Sequence, residues 1–170
     1  MVGLYGLVYL WELAKPQRRR VMQPTLVTWA IVVFGAVTLV PLIWAQFSML
    51  IRPDSQPTRD LIIGKGEGWR DKTHFRLALG AAWADWLFFA PLFVAGSIGV
   101  LLGQSWGYVL FGAAGACSLY MNIILWFTEK EYVYPTRGLV RYFTYYWGFF
   151  VYWGALALAY SVVRIFGVEI

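Results

Sequence analysis

Residues 77–127, LALGAAWADWLFFAPLFVAGSIGVLLGQSWGYVLFGAAGACSLYMNIILWF, decide the fold, and Asp85 is their only charged side chain. Two apolar runs, residues 77–102 and 108–127, are joined by residues 103–107, GQSWG. Each run is long enough to cross the hydrocarbon core of a bilayer, for which a helix needs about 20 residues. Helices are predicted rather than strands, because a helix satisfies its own backbone groups in lipid. The short joining segment makes the two runs an antiparallel hairpin.

Two further apolar runs, at residues 26–51 and 143–166, complete a prediction of four transmembrane helices. The polar segments at residues 52–76 and 128–142 then lie at the membrane face opposite the 103–107 turn. We therefore predict an all-α integral membrane bundle whose transmembrane domain covers residues 21–170.

Residues 1–20 are predicted to form a separate interfacial helix and basic segment. The apolar part, MVGLYGLVYLWELA, is too short to span a bilayer comfortably. Its basic cluster, KPQRRR, follows the apolar part, whereas a signal peptide carries its positive charge first. We expect a helix that lies in the interface or docks on the bundle.

The composition agrees with a membrane protein. Hydrophobic residues make up 60% of the chain and charged residues 14%, whereas soluble domains average nearer half and a quarter. Ten Trp, eleven Tyr and twelve Phe residues suit a protein with two water–lipid interfaces. The net charge of +5 comes from basic residues that flank apolar runs. Such flanking is typical of loops at lipid head groups, so no nucleic acid is expected as a partner.

Several kinds of catalytic and metal site are excluded. Cys117 is the only cysteine and His74 the only histidine, so a disulfide, a CxxC pair, an HExxH zinc site and a two-histidine haem are impossible. The GKGEG run at residues 64–68 resembles a phosphate-binding loop, but the Lys-Thr pair downstream follows an Asp rather than a Gly. We expect neither a cofactor nor a metal.

Asp85 is the most informative residue, because it lies inside the second apolar run. A carboxylate in hydrocarbon is costly unless it is paired, neutralised or hydrated, and such residues usually mark a function. The alternative is a protonated carboxyl that makes one interhelical hydrogen bond and only fixes packing. Arg164, the other charge inside an apolar run, lies near a helix end and is expected to reach the interface.

Depth along the helices suggests which side chains accompany Asp85. Counting from the 103–107 turn brings Asp85 level with the region of Asn122, because each helical residue rises about 1.5 Å. The end of the first run and the start of the fourth arrive at the same face. We predict a ligand-binding site in that half of the bundle, formed by Gln46, Asp85, Asn122, Tyr145 and Tyr146.

Two features next to Asp85 bear on this site. Pro91 removes a backbone donor and frees the Leu87 carbonyl group, which predicts either a functional kink or an ordinary membrane-helix proline. Trp83 and Trp86 do not share the Asp85 direction, since successive helical residues are rotated by about 100°. An aromatic cage around Asp85 is therefore not expected.

The opposite half of the bundle is predicted to be small and apolar. Gly99 with Gly103, and Gly112 with Ala116, follow the small-xxx-small pattern that lets helix backbones approach closely. The close approach is expected either within the hairpin or between subunits. Such packing leaves little room for a ligand.

The stretches WADWLFFAPLFV (residues 83–94) and WGYVLFGAAGACSLYMN (residues 106–122) show the order Asp, Pro-Leu, Trp-Gly, Tyr and Asn. In this they resemble uncharacterised small bacterial four-helix membrane proteins, over about a third of the chain. The resemblance supports the topology and implies no activity. We expect a multi-pass protein of the bacterial inner membrane.

Three classes of function remain open. The leading one is a small membrane binding or accessory protein that holds a hydrophobic small molecule, a lipid or a partner helix. The second is an oligomeric transporter that uses Asp85 as its proton or cation coupling group. The third, a lipid-modifying enzyme with Asp85 and Glu129 or Glu131 as acid and base, lacks any nucleophile–base pair. Expected partners are the lipid bilayer and either another membrane protein or further copies of the chain.

Overall fold

The computed structural model describes residues 22–133 and 149–170. Within these ranges the chain forms five helices and no strand, which confirms the all-α prediction for this part of the chain. Residues 1–20 and the tyrosines 145 and 146 lie outside the described residues. The helices are α1 (Leu26–Ile51), α2 (Gln56–Ile62), α3 (Lys72–Leu101), α4 (Ser105–Val133) and α5 (Phe149–Ile165).

Three helices are long and apolar enough to cross a membrane: α1, α3 and residues Ser105–Leu125 of α4. Each exposes large hydrophobic side chains, as expected of a helix whose solvent is lipid rather than water. The described part of α5 is also apolar but has 17 residues, fewer than the about 20 that a crossing needs. The length and composition of α1, α3 and α4 indicate a membrane protein.

The polar segments are more helical than predicted. Residues 52–76, expected to be a loop, contain α2 and the first turn of α3, and α4 continues to Val133. The prediction ended each helix where polar residues begin. A helix can nevertheless extend past the bilayer when its end is capped. The Asp71 carboxylate caps α3 by accepting hydrogen bonds from the N–H groups of Thr73 and His74.

The α3–α4 hairpin turns at Gly103, where φ is 65°. This left-handed conformation costs glycine little and other residues more. Next to the turn, Gly99 and Gly107 bring the two helices into backbone contact. A Cβ atom on Gly107 would lie 2.2 Å from the carbonyl carbon of Gly99, so only hydrogen fits there.

Helices α4 and α5 meet at a second glycine contact. A Cβ atom on Gly115 would lie 2.8 Å from the carbonyl oxygen of Gly154, and Gly112 faces Ser161. Ala116, the predicted partner of Gly112 in close helix approach, is exposed and lies outside the α4–α5 contact. Gly115 takes that role, since residues three apart also share a helix face.

The core centres on Trp153 of α5, which is fully buried. Its ring makes edge-on contacts with Phe89 and Phe93 of α3 and Phe111 of α4, at centroid distances of 6.3, 5.4 and 5.5 Å. Its Nε1–H donates to the backbone oxygen of Ile31 in α1 at 3.1 Å. One indole thus joins all four long helices, and its polar atom is satisfied as a buried indole requires.

Arg164 is buried, contrary to the expectation that it reaches the interface. Only 2% of the residue is exposed. Its guanidinium donates to the backbone oxygen of Gln23 at 2.6 Å and lies 5.6 Å from the centre of the Tyr108 ring. Nearby, the hydroxyls of Thr28 and Tyr160 are hydrogen-bonded. The prediction of a purely apolar half is therefore wrong, because converging helix ends offer the arginine a backbone acceptor and an aromatic face.

We expect Gly107→Ala to destabilise the hairpin, because the added methyl overlaps the backbone of Gly99. Overpacking of this kind costs on the order of 1–3 kcal/mol. Unfolding in detergent, followed by helical circular dichroism, measures the loss. Gly80→Ala is the matched control, since nothing lies within 4 Å of its Cβ position. Equal losses in the two variants would contradict the assigned contact.

Candidate functional site

Asp85 begins a π-helical turn in the middle of α3, at Asp85–Phe89. Here the Ala90 N–H group donates to the Asp85 carbonyl oxygen, five residues earlier instead of four. Pro91 follows and has no N–H group to donate to Leu87, so the regular pattern is interrupted at this point. Turns of this kind inside α-helices frequently mark functional sites.

The π turn separates two halves of α3 that pack on different neighbours. Residues Ala90–Leu101 run along α4, whereas Lys72–Ala84 pack mainly on α1. Helices α3 and α4 are therefore in close contact near their turn and separate towards the polar segments. A space opens between α1, α3 and α4 where they separate.

This space is a cavity of about 180 Å³ that Asp85 lines. Gln46 and Asn122 line it as well, so the structure brings together three of the five predicted site residues. The other lining side chains are mostly apolar and come from the same three helices: Leu42, Ala81, Ala84, Phe88, Phe89, Cys117, Ser118, Tyr120, Met121 and Leu125.

The three predicted polar residues are each more than nine-tenths buried, with 7% of Gln46, 8% of Asp85 and 6% of Asn122 exposed. The Gln46 side chain of α1 and the Asp85 carboxyl group of α3 line the same cavity and lie close enough to interact. The Asn122 Nδ2 group donates to the Ser118 backbone oxygen at 2.7 Å. The Ser118 hydroxyl donates in turn to the backbone oxygen of Phe150 at 2.9 Å, which links α4 to α5.

Phe88 of α3 and Tyr120 of α4 are the exposed residues among the described lining of the cavity, so we place its opening between them. These side chains are 66% and 67% exposed, whereas Phe89 on the inner side is 5% exposed. Both helices are candidate membrane spans at this level. A molecule dissolved in the bilayer can therefore reach the cavity sideways, without crossing water.

The two tryptophans next to Asp85 do not line this cavity. Trp83 is 53% exposed and Trp86 36% exposed. The Trp86 Nε1–H group donates to the Ile43 backbone oxygen at 3.2 Å, and its ring packs on Phe47 at 5.0 Å. Trp86 therefore holds α3 against α1 beside the π turn and is not part of an aromatic cage around Asp85.

The chemistry of the lining suits binding more than catalysis. Among the lining residues that the structure describes, Asp85 is the only charged side chain, and no Lys, Arg or His accompanies it. Across residues 22–133 and 149–170, no group of three or more His, Cys, Asp or Glu is placed to hold a metal ion. A lone buried acid beside an amide can orient a ligand by hydrogen bonding.

Sequence reasoning missed two parts of this site. Pro91 signalled an irregularity in α3, but periodicity alone did not show that the helix would widen at Asp85. Ser118 gave no signal, because its role depends on reaching the Phe150 carbonyl group of another helix.

Comparison of the chain with protein-family models, with curated proteins and with solved structures gives no match. The function must therefore be argued from the cavity itself, from its size, its opening and its polar groups.

We expect Asp85→Asn to leave the protein folded, because the amide keeps the shape of the side chain and its capacity to hydrogen-bond with Gln46. Asp85→Leu removes the polar group next to the buried Gln46 amide and should cost on the order of 1–3 kcal/mol. Thermal unfolding in detergent compares the two variants. If Asp85→Asn lost as much stability as Asp85→Leu, the carboxylate would have to be ionised and paired in the folded protein.

Proposed function

We propose that this protein is a small integral membrane protein that binds a hydrophobic ligand in the cavity beside Asp85. The observation that carries the proposal is a buried polar cluster, Gln46, Asp85 and Asn122, beside a mostly apolar cavity whose exposed lining residues belong to two candidate membrane spans. Ligand sites are typically apolar concave surfaces in which a few polar groups set the orientation. A cluster that served packing alone would need no adjoining space.

The size of the cavity limits what it encloses. At about 180 Å³ it is close to the roughly 150 Å³ cavity that accommodates benzene. Sites that enclose a drug-sized ligand measure about 300–1,000 Å³. The enclosed part of the ligand is therefore one ring or a short length of chain with its polar end. The rest extends between Phe88 and Tyr120 into the bilayer, as in a lipid or a lipid-like small molecule.

The proposal includes four transmembrane helices and an interfacial helix at residues 1–20. Helix α5 supports the fourth crossing, because it packs along α4 from Gly154 to Ser161 and so lies at membrane depth. The fourth span predicted from the sequence, residues 143–166, begins outside the described residues. The interfacial helix and a place in the bacterial inner membrane rest on the sequence alone.

The other functions receive less support from the structure. A transporter needs Asp85 to be reached from both membrane faces, but α3 and α4 close together beyond the cavity. There a Cβ atom on Gly96 would lie 2.6 Å from the Phe111 backbone nitrogen. An enzyme needs a second reactive group beside Asp85, and none of the lining residues that the structure describes is a base or an activated nucleophile. A partner helix at the opening remains the accessory-protein form of the proposal.

We expect gently solubilised protein to carry a bound lipid or small hydrophobic molecule, detected by mass spectrometry of the intact complex. Ala84→Phe places a ring in the cavity and should reduce the bound fraction by about tenfold or more, since the enclosed volume is that of one ring. Ala116→Phe is the control, because Ala116 is exposed and does not line the cavity. Equal occupancy in the two variants would refute the site, and an associated polypeptide instead of a small molecule would favour the accessory form.

We also expect the 103–107 turn and the 52–76 segment to face opposite sides of the membrane. Single cysteines at the exposed positions Ser105 and Lys65, introduced with Cys117→Ser, should react with an impermeant maleimide from different sides of sealed vesicles. Reaction of both from the same side would show that α3 does not cross the membrane.

A further inference from the structure

We infer that the cavity selects an amphiphile whose head group donates hydrogen bonds, an ammonium or a hydroxyl, over one with a carboxylate or phosphate head. The inference rests on the proposed function and names the ligand class. It follows from counting which donors and acceptors around the cavity are already in use.

The orientation of the Asn122 amide is set by its neighbour. Its Nδ2 group donates to the Ser118 backbone oxygen at 2.7 Å and lies 3.5 Å from the Ser118 hydroxyl oxygen. The reversed orientation would place the amide oxygen against that carbonyl oxygen, two acceptors in contact. The amide oxygen therefore points elsewhere, and within the described residues it has no hydrogen-bond partner. Asn122 lines the cavity, so this amide oxygen can accept a hydrogen bond from a ligand that enters it.

The other polar groups add acceptors more than donors. The Ser118 hydroxyl hydrogen is used by the Phe150 carbonyl group at 2.9 Å. Asp85 and the Gln46 amide lie close enough to satisfy one another. This pairing leaves the second carboxyl oxygen of Asp85, which accepts hydrogen bonds in either protonation state. Tyr120 has a hydroxyl donor, but the residue is 67% exposed at the opening.

The charges around the cavity also favour a head group that donates hydrogen bonds over an anionic one. Within residues 22–133 and 149–170, the lining that an anionic head group would meet contains an acid and no cationic side chain. Burying a charge without a counter-charge is strongly unfavourable, and a like charge nearby adds repulsion. Arg164 is not available as a counter-charge, because it is buried and contacts Gln23 and Tyr108 rather than the cavity. A hydroxyl adds no charge, and an ammonium would favour the ionised form of Asp85 and pair with it.

Binding of three single-chain probes of equal length, decylamine, decanol and decanoate, tests this inference on the full chain. The protein is held in a non-ionic detergent, and bound probe is counted by mass spectrometry of the intact complex. Binding to Ala84→Phe is subtracted as non-specific partition. We expect decylamine or decanol, or both, to exceed decanoate by about tenfold or more, because discrimination of that size needs only about 1.4 kcal/mol.

Variants of the polar residues distinguish binding of the ammonium head group from binding of the hydroxyl head group. Asp85→Asn should lower decylamine binding and leave decanol binding nearly unchanged, since the amide keeps an acceptor but loses the charge. Asn122→Leu should lower both, and its thermal unfolding profile shows whether it remains folded. If Asn122→Leu does not fold, the binding of decylamine and decanol to Asp85→Asn is the deciding measurement.

The outcomes distinguish this inference from the proposal beneath it. Decanoate binding as strong as that of the other two probes would overturn the head-group selection and leave the ligand site standing. Head-group selection is also overturned if Asp85→Asn weakens the binding of none of the probes and decanoate still binds as strongly as decylamine and decanol. No probe bound above the Ala84→Phe level, with no native ligand in the wild-type spectrum, would overturn the proposed function itself.

Discussion

The backbone contact between Gly99 and Gly107 determines how the rest of the bundle is arranged. Because a Cβ atom on Gly107 would lie 2.2 Å from the Gly99 backbone, α3 and α4 touch near their turn. Helices held together at one end separate towards the other unless both follow the same line. The π turn at Asp85–Phe89 prevents that, since it turns the first half of α3 towards α1. The cavity lies where the helices separate.

The same irregular turn explains how a carboxyl group is accommodated at this depth. A buried acid in lipid needs a partner, and Gln46 of α1 supplies one within hydrogen-bonding reach. Trp86 holds the same part of α3 to α1 through its bond to the Ile43 carbonyl group. The contact of Gln46 with Asp85 inside the bundle and the hydrogen bond of Trp86 on its surface thus both hold the π turn against α1. Position and environment of Asp85 are consequences of the packing of α1 on α3.

Buried polar groups occupy both ends of the bundle, with different surroundings. At the turn end Arg164 and Tyr108 lie among converging helix ends, where the guanidinium contacts the Gln23 carbonyl group and an aromatic face. At the other end Asp85 and Asn122 adjoin open space. The first cluster ties helix ends together, whereas the second borders a cavity that has exposed lining side chains on one side. This difference is why the binding proposal concerns only the second cluster.

Some properties of this protein follow from the order of its residues alone. The bounds of α1, the hairpin turn near Gly103 and the matching depths of Asp85 and Asn122 could all be predicted, because a membrane helix needs a fixed length and rises a fixed distance per residue. Only the tertiary structure decided how each helix is rotated about its axis. Rotation buries Arg164, exposes Ala116 and brings Ser118 to another helix, and it depends on packing between residues far apart in the chain. Local periodicity carries no information about such contacts.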